Sequence, residues 1–539
     1  MQPSIWLGSV PPMRSEAHFD GRVVRCFIDR PRSAYALLEQ ALASNPDGEA
    51  IVSGNARLTY AGFADLVSQC AGGLDALGVG RGDRVALLLG NDVAFPVVLF
   101  AALRLGAIAV PISIREQTPG LAYMLEHCGA KVLVHDADLA DRLPPQHAVP
   151  ALAHRIAVQP GAARGGLDGL LAFGPSAAGT APVGEEDTAV ILYTSGTTGR
   201  PKGAMLTHLG ICHSALHYKH CMGLSPRDRA IVAVPMSHVT GVIALIAAMV
   251  CAAGTLIVMP SFKAAAYLEL SERERATHAL LVPAMYNLCL LEPRFATADL
   301  SAWRLGVFGG APMPTATIER LAQRLPGLRL MNAYGATETT SPATMMPPSE
   351  TARRLDSVGI AVPCGEVLAM DEAGREVPHG AEGELWLRGP MVVSGYWNNP
   401  QATTESFIAG YWRSGDIGSV DADGFVRVFD RKKDMINRGG YKIYTIEVEN
   451  VLMAHADVVE AAVVAKPCPV LGERAHAVVS LRRNGITGAD LAQHCAASLA
   501  DYKVPDTFSF RRDPLPRNAN GKVMKRELRE EVLALDGLG

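Results

Sequence analysis

The sequence predicts an α/β protein. A large N-terminal domain of mixed and parallel sheets, with flanking helices and a small β-subdomain, is followed by a small α+β C-terminal domain. Three observations lead there. At 539 residues the chain is too long for one ordinary core. Short apolar runs alternate with amphipathic stretches, as in a parallel sheet covered by helices on both faces. Around residues 430–442 charge and glycine become dense, and a new pattern of strands and helices begins. The expected domains are 1–430 and 431–539.

Residues 1–30 are uninformative. A helical apolar pattern covers 33–43, and residues 49–52 and 56–60 read as a short hairpin. An amphipathic helix follows over 60–77, stopped by Gly78. A glycine turn feeds the strand 85–89. Helix 94–105, strand 107–111, helix 121–128 and strand 131–134 continue the alternation. Residues 158–187 are rich in Gly, Ala and Pro and read as a spacer. The alternation resumes with helix 207–220, strand 230–234, helix 242–251 and strands 255–259, 278–282 and 305–308. Short strands dominate 383–428. The C-terminal pattern is helix 445–454, strands 458–465 and 475–481, and helix 488–499. Ligands of such sheets sit outside the carboxyl ends of the parallel strands.

Hydrophobic residues make up 49% and charged residues 19%, the balance of a globular enzyme with large buried sheets. The net charge is −4 and Lys and Arg are scattered, which argues against a nucleic-acid-binding face. Ten cysteines without a Cys-x-x-Cys pair read as reduced thiols of a cytoplasmic protein. Residues 1–14 lack the pattern of a signal peptide. Residues 239–259 carry no charge and are long enough to span a bilayer. Gly241 and Gly254 interrupt them, so a buried helix followed by a buried strand is the expectation, not an integral membrane span.

The stretch Tyr193-Thr194-Ser195-Gly196-Thr197-Thr198-Gly199-Arg200-Pro201-Lys202-Gly203 follows an apolar strand-like run. Its glycines let successive N–H groups face one cavity, its hydroxyls add donors and Lys202 adds a compact positive charge. It is not the common P-loop, because Pro201 stands where the second glycine belongs. Alone, the string reads equally as a polyphosphate cradle or a flexible surface loop.

Further strings accompany it: Pro235-Met236-Ser237-His238-Val239-Thr240-Gly241, Phe308-Gly309-Gly310-Ala311-Pro312, and Asn332-Ala333-Tyr334-Gly335-Ala336-Thr337-Glu338. Trp412-Arg413-Ser414-Gly415-Asp416 and Asp430-Arg431-Lys432-Lys433-Asp434 come next. Gly439-Gly440-Tyr441-Lys442 and Asn518-Ala519-Asn520-Gly521-Lys522 complete the set. Together, in this order, they resemble the adenylate-forming superfamily of acyl-CoA synthetases, firefly luciferase and peptide-synthetase adenylation domains. The resemblance covers residues 33–528 and is nearest to an acyl-CoA synthetase.

The resemblance implies ATP, Mg²⁺ and CoA. It makes Thr194, Ser195, Gly196, Thr197, Thr198, Gly199 and Lys202 a cradle for the β- and γ-phosphates. Gly309, Gly310 and Ala311 flank adenine, Asn332 accepts from its amino group and Tyr334 packs on the base. Thr337 bonds the α-phosphate. Glu338 is the metal ligand, a hard oxygen donor suited to Mg²⁺. Asp416 takes the ribose hydroxyls and Arg431 reaches the ribose. His238 lies near the substrate carboxylate, with a packed core histidine as the rival reading. Lys522 is the adenylation lysine: two anions meet as pyrophosphate leaves, and its ammonium offsets the growing charge. Asn520-Gly521 would present it on a hairpin. The C-terminal domain would be mobile, turning about Lys433 to withdraw Lys522 and bring Gly439 and Gly440 to the pantetheine arm of CoA.

Cys212, His213, His217, His220 and Cys221 cluster on one helix, with His213 and His217 at ligand spacing. No catalytic acidic partner accompanies them, so a solvated helix face is expected. The apolar runs 267–270 and 280–291 are expected in the core. No Arg or Lys stands in 238–242, 310–313 or 335–341 to pair a second carboxylate. Their small residues suggest a roomy apolar channel. The expected partners are a medium- or long-chain fatty acid or other apolar acid, ATP and CoA, with no nucleic acid; a homodimer stays open. An aryl acid–CoA ligase and a free-standing acyl-adenylate donor to a carrier protein are the alternatives. A non-catalytic ATP-binding scaffold is disfavoured by intact Glu338, Asp416 and Lys522.

Overall fold

Apolar runs bounded by glycine turns form the strands that the alternation predicts. The computed structural model describes residues 5–19, 21–176, 179–194, 200–310, 313–483, 485–517 and 523–535. By contact the chain divides into two units. One comprises Met1–Ala311, Arg320–Val367 and Leu387–Arg413, the other Pro312–Glu319, Leu368–Trp386 and Ser414–Gly539.

The first unit holds a six-stranded sheet ordered Lys202–Thr207, Thr188–Thr194, Ile108–Pro111, Arg84–Leu88, Val132–Asp136, His154–Val158. All neighbours are parallel except the pair at the Lys202–Thr207 edge. Alternation along the strand Arg84–Leu88 serves two layers. Val85 and Leu87 pack with the helices Tyr60–Ala76 and Ala94–Arg104, while Ala86 and Leu88 pack with the helix Thr118–Cys128. Thr59 caps the first of these helices by accepting from Gly62 N at 3.1 Å. Gly129, at φ +62°, ends the third.

The second sheet of this unit runs Gly359–Ala361, Thr344–Met345, Arg329–Tyr334, Leu305–Phe308, His278–Leu281, Arg229–Val232, Thr255–Val258, Glu49–Ser53, Ala56–Thr59. It is parallel from Arg329–Tyr334 through Glu49–Ser53 and closes with the expected hairpin. The uncharged stretch is a buried π-helix, Thr240–Ala247, that continues into the α-helix Ala248–Cys251 and then the strand Thr255–Val258. Among the described residues no helix is long and apolar enough to cross a membrane.

Two expectations need correction. The helix His208–Met222 is not solvated: His208, Cys212, His213, His217 and Cys221 are all buried. Phe27 stacks on His213 with ring centroids 5.6 Å apart. Its own N–H donates to His213 Nε2 at 3.2 Å, so the imidazole is consumed by the core. The run 280–291 is core only at its inward face, where Tyr286 and Cys289 are buried, while Leu288 and Leu291 are half exposed. The N-terminus, on which the sequence is uninformative, forms an antiparallel hairpin, Met13–His18 with Arg22–Phe27. It is pinned by Arg30, which bonds Glu16 at 2.7 Å and Glu185 at 2.6 Å.

In the second unit a five-stranded sheet runs Tyr441–Ile443, Ile436–Arg438, Gly472–Leu481, Val458–Cys468, with Thr507–Arg511 beside Gly472–Leu481. Ala461, Val463, Ala477 and Val479 face the helices Thr445–Met453 and Gly488–Ala496. Ala462, Val464 and Val478 face the helix Lys525–Leu535 on the other side.

Candidate active site

The phosphate-type loop joins the antiparallel strands Thr188–Thr194 and Lys202–Thr207, whose ends Thr194 and Lys202 are directly paired. Its two arms are therefore fixed by the sheet. Facing them is Glu338, in a one-turn 3₁₀ helix, Thr337–Thr339, that follows the strand Arg329–Tyr334. Thr337 and Glu338 are buried. Glu338 Oε1 accepts from Tyr396 Oη at 2.9 Å and more weakly from Thr194 Oγ1 at 3.4 Å. The Lys202 ammonium stands 5.0 Å from the centroid of the Tyr396 ring. The sequence reading missed Tyr396, because its partner is far away in the chain and no spacing advertises the contact. Ser195, Gly196, Thr197, Thr198, Gly199, Ala311 and Lys522 lie outside the described residues.

The carboxyl ends of the parallel strands Leu305–Phe308 and Arg329–Tyr334 bring the adenine candidates together. Phe308 pairs with Asn332. Asn332 and Tyr334 share a face of their strand. The backbones approach so closely at Gly309 that a Cβ there would stand 2.3 Å from Ala333 O, and Gly310 has φ +76°. Glycine is required at both.

His238 follows the strand Arg229–Val232, at its carboxyl end. Its Nδ1 accepts from Thr240 N at 3.3 Å and meets Thr240 Oγ1 at 3.1 Å. Burial pushes the imidazole pKa down to about 4. A neutral ring that accepts at Nδ1 carries its proton on Nε2 and can donate from there.

In the second unit Asp416 and Arg431 are cross-strand partners, with Arg431 Nε 2.9 Å from Asp416 Oδ1. Asp416 is buried and its N–H donates to Ser414 Oγ at 3.0 Å. Lys433 is exposed in the turn that follows. Gly439 and Gly440, with φ +59° and +93°, form the turn between Ile436–Arg438 and Tyr441–Ile443. Gly439 N donates to Leu471 O at 2.7 Å. Just before Lys433, Asp430 is buried and its Oδ2 accepts from Thr445 Oγ1 at 2.7 Å. The same hydroxyl accepts from Lys525 Nζ at 2.6 Å, and Lys525 pairs with Glu449 at 2.7 Å. This network, buried at Asp430 and Thr445, also escaped the sequence reading.

A buried carboxylate that meets a hairpin arm just past the carboxyl end of a parallel-sheet strand is an arrangement suited to an enzyme that handles nucleotides. A family model described as AMP-binding enzyme matches residues 38–397, and another described as AMP-binding enzyme C-terminal domain matches residues 447–522. A long-chain-fatty-acid–CoA ligase of Mycobacterium tuberculosis is 35% identical over 505 residues, covering 92% of this chain and 98% of that one. A feruloyl-CoA synthase of an Amycolatopsis species is 37% identical over 488 residues, covering 90% and 96%. The ATP-bound crystal structure of MatB from Rhodopseudomonas palustris matches with a TM-score of 0.86 at 31% identity, covering 93% and 99%. The chain belongs to the AMP-binding enzyme family, the adenylate-forming superfamily. Within it, the chain is of the acyl-CoA synthetase type, an AMP-forming acid–thiol ligase that uses ATP and CoA.

Proposed function

We propose that the enzyme activates an apolar monocarboxylic acid, a medium- or long-chain fatty acid first, in two half-reactions. The carboxylate oxygen attacks the α-phosphorus of ATP, forming the acyl-adenylate as pyrophosphate leaves. The CoA thiolate then attacks the acyl carbon, forming the thioester as AMP leaves.

The observation that carries this reading is the buried Glu338 carboxylate, which meets Thr194 on one arm of the phosphate loop and Tyr396, whose ring in turn seats Lys202 on the other arm. Thr337 would bond the α-phosphate and Lys202 the departing phosphates. His238 would donate from Nε2 to the substrate carboxylate and hold it for attack. Asp416 and Arg431 would take the ribose hydroxyls, and Lys522 would meet the charge of the transition state. The turn of the C-terminal domain about Lys433 and the approach of CoA along Gly439 and Gly440 belong to the same reading.

Glu338 also fits Mg²⁺. Both described donors engage Oε1, so Oε2 is left as a hard oxygen ligand. Bound there, Mg²⁺ would neutralise charge on the triphosphate. All ten cysteines are free thiols, which supports a cytoplasmic location.

Incubation with ATP, Mg²⁺ and a panel of acids, with and without CoA, tests the reading. Expected are acid-dependent pyrophosphate release and a thioester only when CoA is present. No acid-dependent pyrophosphate overturns it, and pyrophosphate without thioester points to a carrier-protein acceptor. The feruloyl-CoA synthase relative favours an aryl acid as the second reading, which a preference for hydroxycinnamates over fatty acids would select.

A further inference from the structure

A segment outside every motif of the sequence ties the phosphate loop to the Glu338 turn. Residues 395–397 run beside the strand Lys202–Thr207, which is one arm of the loop. Met205 N donates to Gly395 O at 3.0 Å and Trp397 N to Gly203 O at 2.7 Å, with Tyr396 bridged to Ala204. A few residues earlier, Val393 N donates to Glu338 O at 2.9 Å. Arg22 clamps the same stretch by donating to Val393 O at 3.2 Å and Ser394 O at 3.1 Å.

The backbone thus fixes Tyr396 between both motifs, and Phe407 packs against its ring at 5.7 Å between centroids. The side chain is buried and does two things at once. Its hydroxyl donates to Glu338 Oε1 and its ring face carries the Lys202 ammonium.

We propose that Tyr396 is a positioning residue for the metal–triphosphate. By engaging Oε1 of Glu338 it leaves Oε2 to the cation, and its ring face seats the Lys202 ammonium. The inference rests on the reading of Glu338 as the metal ligand. A hydrogen bond orders the carboxylate in one rotamer before the cation arrives, so less is lost on binding. The ring offers the Lys202 ammonium a neutral surface that orients it without cancelling its charge.

Mn²⁺ is the probe, followed by its EPR signal in protein saturated with a non-hydrolysable ATP analogue. Wild-type protein should bind it and Glu338→Gln should lose it. Tyr396→Phe keeps the ring and should bind Mn²⁺ about tenfold more weakly, as expected for one lost charge-assisted hydrogen bond. Its AMP affinity and melting temperature should be unchanged. Tyr396→Leu removes the ring as well and should also weaken metal-free pyrophosphate binding, measured by calorimetry, where Tyr396→Phe does not. Unchanged Mn²⁺ affinity in Tyr396→Phe, with Glu338→Gln impaired, overturns the inference and leaves the metal reading standing. Unchanged affinity in Glu338→Gln overturns both. A Tyr396→Phe protein that loses AMP affinity and melting temperature along with Mn²⁺ has a structural tyrosine, which also overturns it.

Discussion

His238 can be identified from the sequence, but not its protonation state. Burial holds its pKa near 4, and acceptance from Thr240 N leaves the proton on Nε2. A histidine in this state works as a fixed neutral donor, not as a base that titrates near neutrality. The adenylation rate should therefore show no histidine inflection between pH 6 and 7, in kcat/KM measured by pyrophosphate release. Glutamine places an amide N–H near the position of Nε2. His238→Gln should keep most of the activity, while His238→Ala should lose about tenfold or more. An inflection near pH 6.5 that disappears in His238→Gln would assign the residue to proton transfer instead.

The helix His208–Met222 carries two of its histidines, His208 and His213, as acceptors for the N-terminal segment. Ala34 N donates to His208 Nδ1 at 3.0 Å, and Phe27 N donates to His213 Nε2 at 3.2 Å. Burial lowers both pKa values to about 4, below the ordinary 6.5. Between those values the unfolded chain binds more protons than the folded one, so stability falls as pH falls from 6.5 toward 4. The two residues should together cost about 2 kcal/mol between pH 6.5 and 5.5. Thermal melts across that range check it, and His213→Gln should flatten the dependence. The strand–helix alternation was legible because buried strands and amphipathic helices have fixed periods. The burial of this helix was not, because His, Lys and Cys look polar until Phe27, Ala34 and the N-terminal hairpin cover them. The hairpin itself depends on Arg30 reaching Glu16 and Glu185, partners that no local period reveals.

At the scale of the whole molecule, the resemblance assigned Glu338, Asp416 and Lys522 by their order in the chain, and the fold brings Glu338 to the arms of the phosphate loop. What the sequence could not give was the side-chain support behind them, such as Tyr396 behind Glu338 and Lys525 three residues after Lys522. Lys525 is tied to Glu449 and through Thr445 to Asp430, so the start of the helix Lys525–Leu535 is anchored independently of Lys522. Lys522→Ala should then report a lost charge and not a lost fold. It should abolish acyl-adenylate formation, followed as pyrophosphate release, yet spare thioester formation from a supplied acyl-adenylate and CoA. Lys525→Met should behave oppositely. It strands the buried Asp430 and the part-buried Glu449, whose pKa values are already raised by burial, and should destabilise the C-terminal fold by about 3 kcal/mol or more. Its melting temperature should drop, with both half-reactions falling together. Equal loss of both half-reactions in Lys522→Ala at an unchanged melting temperature would contradict a lysine that serves adenylation and withdraws before thiolysis.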